Sequence, residues 1–215
     1  MKGEGLHLQT ITKNRPQLVL DIGGVLLTNL SLAFWRQAED CGHVNGEELK
    51  ERFRQDLREE LWTGRIGEDR FWTWLAQCLP SLPTAQAREL LAANLQPLPA
   101  LEQLALWSAR ADIHLLSNHR AEWVRPVLAP YERYIATMTV SSEVGLCKPD
   151  ARIFEHVRSR FGSETALVIY VDDQSKNLPP AAALGWQTVL ADSAGSWAAA
   201  VTRLLVGVDG QDGRT

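Results

Sequence analysis

Residues 17–28 read Gln17-Leu18-Val19-Leu20-Asp21-Ile22-Gly23-Gly24-Val25-Leu26-Leu27-Thr28, an apolar run interrupted by one aspartate and followed by two glycines. The apolar positions before Asp21 do not alternate with polar ones, which predicts a parallel strand covered on both faces rather than a half-solvated one. Asp21 then stands at the carboxyl end of a buried strand, where open α/β sheets hold their ligands. Gly23 and Gly24 allow a sharp turn and a close approach of backbone to whatever binds there. An ordinary strand exit, with Asp21 only capping the next segment, fits these twelve residues equally well. The rest of the chain has to decide.

Beyond Thr28 the chain reads as helical for about seventy residues. Ser31 can cap a helix through Phe34, Trp35 and Ala38 that stops near Gly42, and Asn45 with Glu48 three residues on forms a capping-box signature. Leu49, Phe53, Leu57 and Leu61 recur every fourth residue, the apolar face of one helix. Phe71, Trp72, Trp74 and Leu75 mark a further helix, and another starts after Pro83 with Thr84 as cap. From Pro97 the pattern changes. Short apolar runs at 113–118, 137–140, 167–171 and 188–190 alternate with helical segments, one of which carries Pro126, expected to bend it or stop it early. Strands and helices in that alternation predict an α/β fold, a doubly wound parallel sheet with right-handed crossovers.

With 45% hydrophobic residues in 215, the chain can bury a substantial core. A net charge of −4 and the absence of any Lys/Arg run argue against nucleic acid as a partner. No stretch has the length of a signal peptide core or a membrane span, so the expectation is a cytoplasmic protein with no membrane partner. Cys41, Cys78 and Cys147 are odd in number and widely spaced, as reduced thiols are. Cys147 is read as small apolar filler rather than a reactive thiol. Only five lysines stand against seventeen arginines, which singles out Lys148.

In a parallel sheet all carboxyl ends lie on one edge, so Asp21, Ser117-Asn118, Lys148 and Asp172-Asp173 can meet despite their separation in sequence. Carboxylates with nearby carbonyls suit a hard cation such as magnesium. A lone lysine, a hydroxyl and an amide suit a phosphoryl oxyanion. An aspartate touching both can act as a nucleophile.

Taken in order, Asp21-Ile22-Gly23-Gly24-Val25, Leu115-Leu116-Ser117-Asn118, Lys148-Pro149-Asp150 and Asp172-Asp173 followed by Asn177 resemble the four motifs of the haloacid dehalogenase-like (HAD) hydrolase superfamily. The helical block, with Trp62-Thr63-Gly64-Arg65-Ile66 and Phe71-Trp72, resembles that superfamily's inserted helical cap, in phosphatases akin to the sugar-1-phosphatase and epoxide-hydrolase amino-terminal branch. The resemblance implies a Rossmann-like core from residues 17–28 and 97–207, a cap from 29–96, and tails at 1–16 and 208–215. It implies that Asp21 attacks phosphorus, with Ser117 and Lys148 as its catalytic companions. Gly24, Ser117, Asn118 and Lys148 would contact the phosphoryl group. Mg2+ would be held by Asp21, the Gly23 carbonyl and Asp173, with Asp172 assisting through a water.

The sequence departs from the family pattern where a second aspartate usually comes two residues after the nucleophile. Here that position is Gly23. The lost group is the general acid and base, which typically contributes about 10²–10⁴-fold in rate. His119 can stand in as acid or base, although a helix-start or surface histidine is the commoner reading. Trp35, Trp62, Trp72 and Trp74 are read mainly as core, with one or two free to face the cleft. The leading expectation is a Mg-dependent phosphatase of a small phosphorylated metabolite. A binding module with little turnover is the alternative, on the strength of Gly23, and a 2-haloacid dehalogenase is disfavoured by the paired acids Asp172 and Asp173. Phosphonate cleavage through a cap lysine is set aside because Lys50 looks like part of a solvated face. Substrate identity and oligomeric state are not written in the sequence.

Overall fold

The computed structural model describes residues 15–29, 32–40, 44–162 and 167–209. Strand β1 (Gln17–Leu20) leads into five helices: α1 (Leu32–Asp40), α2 (Gly46–Asp56), α3 (Arg58–Trp62), α4 (Glu68–Cys78) and α5 (Thr84–Asn94). The chain continues through α6 (Leu104–Ser108), β2 (Asp112–Ser117), α7 (Ala121–Leu128), β3 (Thr137–Val140), α8 (Ser141–Val144) and α9 (Ala151–Arg158). It closes with β4 (Val168–Asp172), α10 (Leu178–Ala183), β5 (Gln187–Leu190) and α11 (Ser196–Asp209).

The five strands form one parallel sheet in the order β3-β2-β1-β4-β5. The chain winds outward in both directions from β1, so the switch point lies at the end of β1, next to Asp21. Side chains on β1 alternate between two apolar layers, which is why its sequence shows no polar alternation. Leu18 and Leu20 join Ile113, Leu115 and Val171 beneath Trp107, Val124 and Val201. Val19 joins Leu116 and Tyr170 on the opposite face beneath Ile153, Phe154 and Val157. Each fully buried aliphatic side chain contributes roughly 1.5–3 kcal/mol by area, so both layers hold the strand ends in place.

The helical block has its own core around Phe34, Trp35, Leu49, Phe53, Phe71 and Trp74, and Trp123 of α7 joins that cluster from the sheet side. Asn45 caps α2 through Oδ1, which accepts from the backbone N–H of Glu47 (2.9 Å) and Glu48 (3.2 Å). Thr84 is the first residue of α5, and Pro83 holds the cap position. Pro126 is accommodated near the end of α7, which runs two residues past it before a 3-10 turn takes over. The proposed cap at Ser31 and stop at Gly42, together with His7, Cys41 and His43, lie outside the described residues.

Three contacts fix the block over the carboxyl edge of the sheet. Gly64 has φ +72°, and a Cβ there would lie 2.0 Å from the Ser142 carbonyl oxygen at α8. Nη1 of Arg120 donates to the carbonyls of Ile66 (2.8 Å) and Leu61 (3.4 Å). Oε2 of Glu68 accepts from the indole N–H of Trp72 (3.2 Å) and of Trp123 (2.7 Å). Burial opposes charge on Glu68, but these donors with Arg88 hold its carboxyl below the usual range. No helix among the described residues is long and apolar enough to cross a membrane.

Candidate active site

The carboxyl ends of three strands, β1, β2 and β4, converge on Lys148, which lies in the loop after α8. Its Nζ donates to Oδ2 of Asp172 (2.7 Å), to Oδ2 of Asp21 (2.9 Å) and to the Leu116 carbonyl (3.1 Å), so all three ammonium protons have partners. Its backbone is pinned by a reciprocal pair with Asn118: the Lys148 N–H donates to Oδ1 and Nδ2 donates to the Lys148 carbonyl, both at 2.8 Å. The side chain of Asn118 is thereby committed to holding the lysine loop. Burial works against the charge on Lys148, but Asp21 and Asp172 outweigh it and hold the ammonium above its ordinary value.

Asp172 and Asp173 divide their tasks. Asp172 is fully buried and accepts from Lys148, the Tyr170 hydroxyl, the Gln174 N–H (2.7 Å) and Nδ2 of Asn177 (3.0 Å to each oxygen). Asn177 thus ties down the loop after β4. Burial raises the cost of charge on Asp172, yet Lys148 and these donors hold its carboxyl down. Burial and the Asp172 charge push the Tyr170 phenol upward. Asp173 is different, because its Oδ1 is buried with no hydrogen-bond partner among the described residues. One oxygen each of Asp21, Asp172 and Asp173 lie within 4.8 Å of one another. An orphaned buried carboxylate oxygen in such a set fits a hard cation, since leaving it unsatisfied is costly. Gly24 makes the room: at φ +78°, a Cβ there would lie 2.3 Å from Oδ2 of Asp173.

Asp21 is 4% exposed, and its Oδ1 accepts from the Ile22 N–H at 2.6 Å. Burial dominates over the pull of Lys148, and with the repulsion of Asp172 it pushes the Asp21 carboxyl up to about 7. Asp172, with more donors, stays ionised, so the pair shares its lysine unequally. Gly23, Ser117 and Asn118 line the same cavity as Asp21 and Lys148. A Cβ on Gly23 would meet the side-chain amide of Asn29 at 3.1 Å, so Asn29 stands over the position where a side chain at residue 23 would begin.

His119 is not a surface residue. It is 2% exposed, its ring tilts against Trp62 (5.2 Å) and meets Trp123 edge-on (5.7 Å), and burial pushes it down to about 4. Nδ1 accepts from the Arg120 N–H at 3.0 Å, which puts the proton of the neutral ring on Nε2. That Nε2 is buried without a partner among the described residues, and His119 lines the cavity. His114, by contrast, sits in β2 with both ring nitrogens engaged, at 2.7 Å from Thr137 Oγ1 and 2.7 Å from Gln17 Oε1. Cys147 is packed against the helical core, and burial raises its thiol, as filler requires.

The cavity, about 270 Å³, is roofed by the helical block. Trp35, Phe53 and Trp62 line it, while Trp72 and Trp74 stay in the block's core. Lys50, Arg54, Arg58 and Lys176 also line it. Lys50 is exposed as expected, but the face it belongs to borders the cavity, which corrects its reading as merely solvated. The signal was present: positions 50, 54 and 58 repeat every fourth residue, directly beside the apolar stripe 49, 53, 57 and 61.

No curated protein matches the chain. Among solved structures, a HAD family enzyme from Bacteroides thetaiotaomicron superposes with TM-score 0.75 at 22% identity, covering 88% of this chain and 99% of that one. A structure of the same enzyme contains magnesium and inorganic phosphate; it matches with TM-score 0.66 at 20% identity over 84% of this chain and 96% of that one. A HAD-like family hydrolase from Porphyromonas gingivalis gives TM-score 0.71 at 22% identity over 90% and 98%. The L-2-haloacid dehalogenase of Xanthobacter autotrophicus, with chloropropionic acid covalently bound, gives TM-score 0.57 at 19% identity over 81% and 76%. At these identities the superpositions establish the fold. The family model for haloacid dehalogenase-like hydrolases matches residues 17–185, and with that match the chain belongs to this family of hydrolases.

Proposed function

We propose that this hydrolase is a magnesium-dependent phosphatase of small phosphorylated metabolites, working through an aspartyl-phosphate on Asp21. The observation that carries the reading is the buried, unpartnered Oδ1 of Asp173 beside Asp21 and Asp172, an acceptor set suited to a hard cation. A bound Mg2+ would draw charge off the phosphoryl oxygens and lower the Asp21 pKa into the range of a working carboxylate. Asp21, Asp173 and the Gly23 carbonyl would hold it, while Asp172, its lone pairs already taken, anchors Lys148.

In the first half-reaction Asp21 forms a bond to phosphorus and the P–O bond to the leaving group breaks with both electrons on oxygen. Ser117 and the Asn118 backbone receive phosphoryl oxygens, whereas Gly24, expected to contact them, lies outside the cavity lining and instead makes room for Asp173. Lys148 holds the nucleophile oriented and balances its charge. In the second, water attacks the acyl phosphate, returning Asp21 and releasing inorganic phosphate. Residues 29–96 serve as the cap over a core of 17–28 and 97–207. His119 donates a hydrogen bond from Nε2 toward the leaving oxygen, but as a neutral ring it supplies no ready proton. With Gly23 in place of an acid, esters of weakly basic leaving groups are therefore favoured. The free thiols Cys78 and Cys147 suit a reducing cytoplasmic setting.

The test is phosphate release from a panel of phosphate esters with and without Mg2+, beside Asp21→Asn. Activity that needs both the metal and Asp21 supports the reading. Metal-independent release of chloride from 2-chloropropionate would support a dehalogenase instead, and no turnover of any ester would support a binding module.

A further inference from the structure

We propose that the substrate carries a second anionic group beyond the phosphoryl, received by Lys50, Arg54 and Arg58 of the helical block and Lys176 of the turn after β4, which line the cavity together. This inference rests on the phosphatase reading and names the substrate class. The chain as a whole is acidic, with net charge −4, yet every lysine among the described residues (Lys50, Lys148 and Lys176) lines this one cavity, joined by Arg54 and Arg58. Among the described residues, Asp21 is the only carboxylate in that lining, and Lys148 already faces it.

The remaining cations are not matched by the protein. Arg54 pairs with Glu51 at 2.9 Å, whereas Lys50, Arg58 and Lys176 have no ion-pair partner among the described residues. With a divalent cation bound, Asp21, Asp172, Asp173 and Lys148 come to neutrality. A phosphoryl dianion then offsets two of the three unmatched cations and leaves at least one facing the cavity. Like charges gathered in a partly enclosed site repel one another, and such a cluster is stabilised by an anion that brings them into register.

The helical period places the cluster close to the reaction. Lys50 and Arg54 share one face of α2, beside the buried Leu49 and Phe53 that fix its direction, and Arg58 opens α3 just past the break at Leu57 and lines the same cavity. Arg54 and Arg58 also border a second groove that shares Trp62, Asn118 and Lys148 with the first, where Arg65 and Arg152 are already paired with Glu59 and Asp150. A leaving group in this cavity therefore meets aromatic walls at Trp35 and Trp62 together with Lys50, Arg54, Arg58 and Lys176. The class that fits is a phosphate monoester whose small organic portion bears a carboxylate or a further phosphate.

Binding, which needs no turnover, tests this. Calorimetric titration of the full chain in saturating Mg2+ would compare 3-phosphonopropionate with propylphosphonate, which differ only by a carboxylate in place of a methyl group. The expected result is a preference of about tenfold or more for the carboxylate, falling to about threefold or less in Lys50→Gln/Arg58→Gln and preserved in Arg70→Gln, an exposed residue of α4 away from both cavities. Equal binding of the two ligands overturns this inference alone. A preference that the double variant retains overturns its assignment to these cations. Binding of neither overturns it together with the phosphoryl site on which it rests.

Discussion

Nζ of Lys148 lies between two buried carboxylates, 2.9 Å from Asp21 and 2.7 Å from Asp172, and a single ammonium serves both. Lys148→Met removes that charge while keeping most of the volume. Two buried acids are then left facing one another, and loss of one partner from a buried ion pair costs about 3–5 kcal/mol. The variant is expected to melt well below the parent and to lose phosphatase activity by at least about 10³-fold. A thermal melt and a rate measurement check both, and a variant of parental stability would show that the triad contributes little to folding.

Gly24 and Asp173 are coupled by space. Because a Cβ at residue 24 would lie 2.3 Å from the Asp173 carboxylate at φ +78°, Gly24→Ala must displace that group or the turn itself. The concentration of Mg2+ needed for half-maximal activity is expected to rise by about tenfold or more. Unchanged metal dependence would show that Asp173 is not a ligand.

Gly23 sits under Asn29 with a Cβ clearance of 3.1 Å to a flexible side chain, and its backbone is not in the left-handed region. Gly23→Asp can therefore be accommodated if Asn29 swings away. The parent enzyme is expected to show rates that fall steeply as the leaving-group pKa rises, from aryl and anomeric phosphates down to alkyl phosphates. The variant should flatten that dependence, raising alkyl phosphate turnover by about 10-fold or more. A flat series in the parent contradicts the proposed consequence of the missing acid.

Two buried neutral histidines govern stability in acid. Burial holds His114 and His119 at about 4, against about 6.5 in an unfolded chain. Between those values the unfolded chain binds protons that the native one refuses, so stability is full above pH 6.5 and is lost as pH falls toward 4. Asp21, raised to about 7, acts in the opposite sense in metal-free protein: its share is complete below about 3.9 and is lost as pH rises through 7. Asp173, raised by burial and by the Asp172 charge, acts in that same sense, while each buried histidine adds a decline on acidification. His114→Gln should make that decline shallower by about 1.4 kcal/mol per pH unit. Denaturant titrations across pH 4–6.5 without metal measure it, and an unchanged slope would mean that His114 protonates freely in the native state.

How much was legible from sequence depended on whether a feature is carried by the chain's own period or by packing between distant segments. The β1 run and the alternation of later strands and helices are local patterns, and those elements appear within a residue or two. The stripe of Leu49, Phe53, Leu57 and Leu61 is buried as its period predicts, but the single helix expected there is broken at Leu57 into α2 and α3. Parallel topology then brings positions 21, 117, 172 and 173 to one edge, and the reciprocal hydrogen bonds with Asn118 hold the loop of Lys148 there. The contacts above that edge were invisible. Nothing local to His119 reveals that Trp62 and Trp123 enclose it, and nothing around Gly23 reveals that Asn29 overlies it. The approach of Gly64 to Ser142 joins positions far apart in sequence. The basic stripe at 50, 54 and 58 was readable, but exposed cations on a helix ordinarily face water, and only the placement of the block over the sheet gives them a cavity to face.

The most direct measurement is mass spectrometry of protein quenched in acid during turnover of an aryl phosphate with Mg2+ and then digested with a protease. A phosphoryl adduct confined to the peptide at Asp21, absent without metal and absent in Asp21→Asn, is the predicted result. Steady phosphate release with no adduct on Asp21, or release that survives Asp21→Asn, would contradict the account.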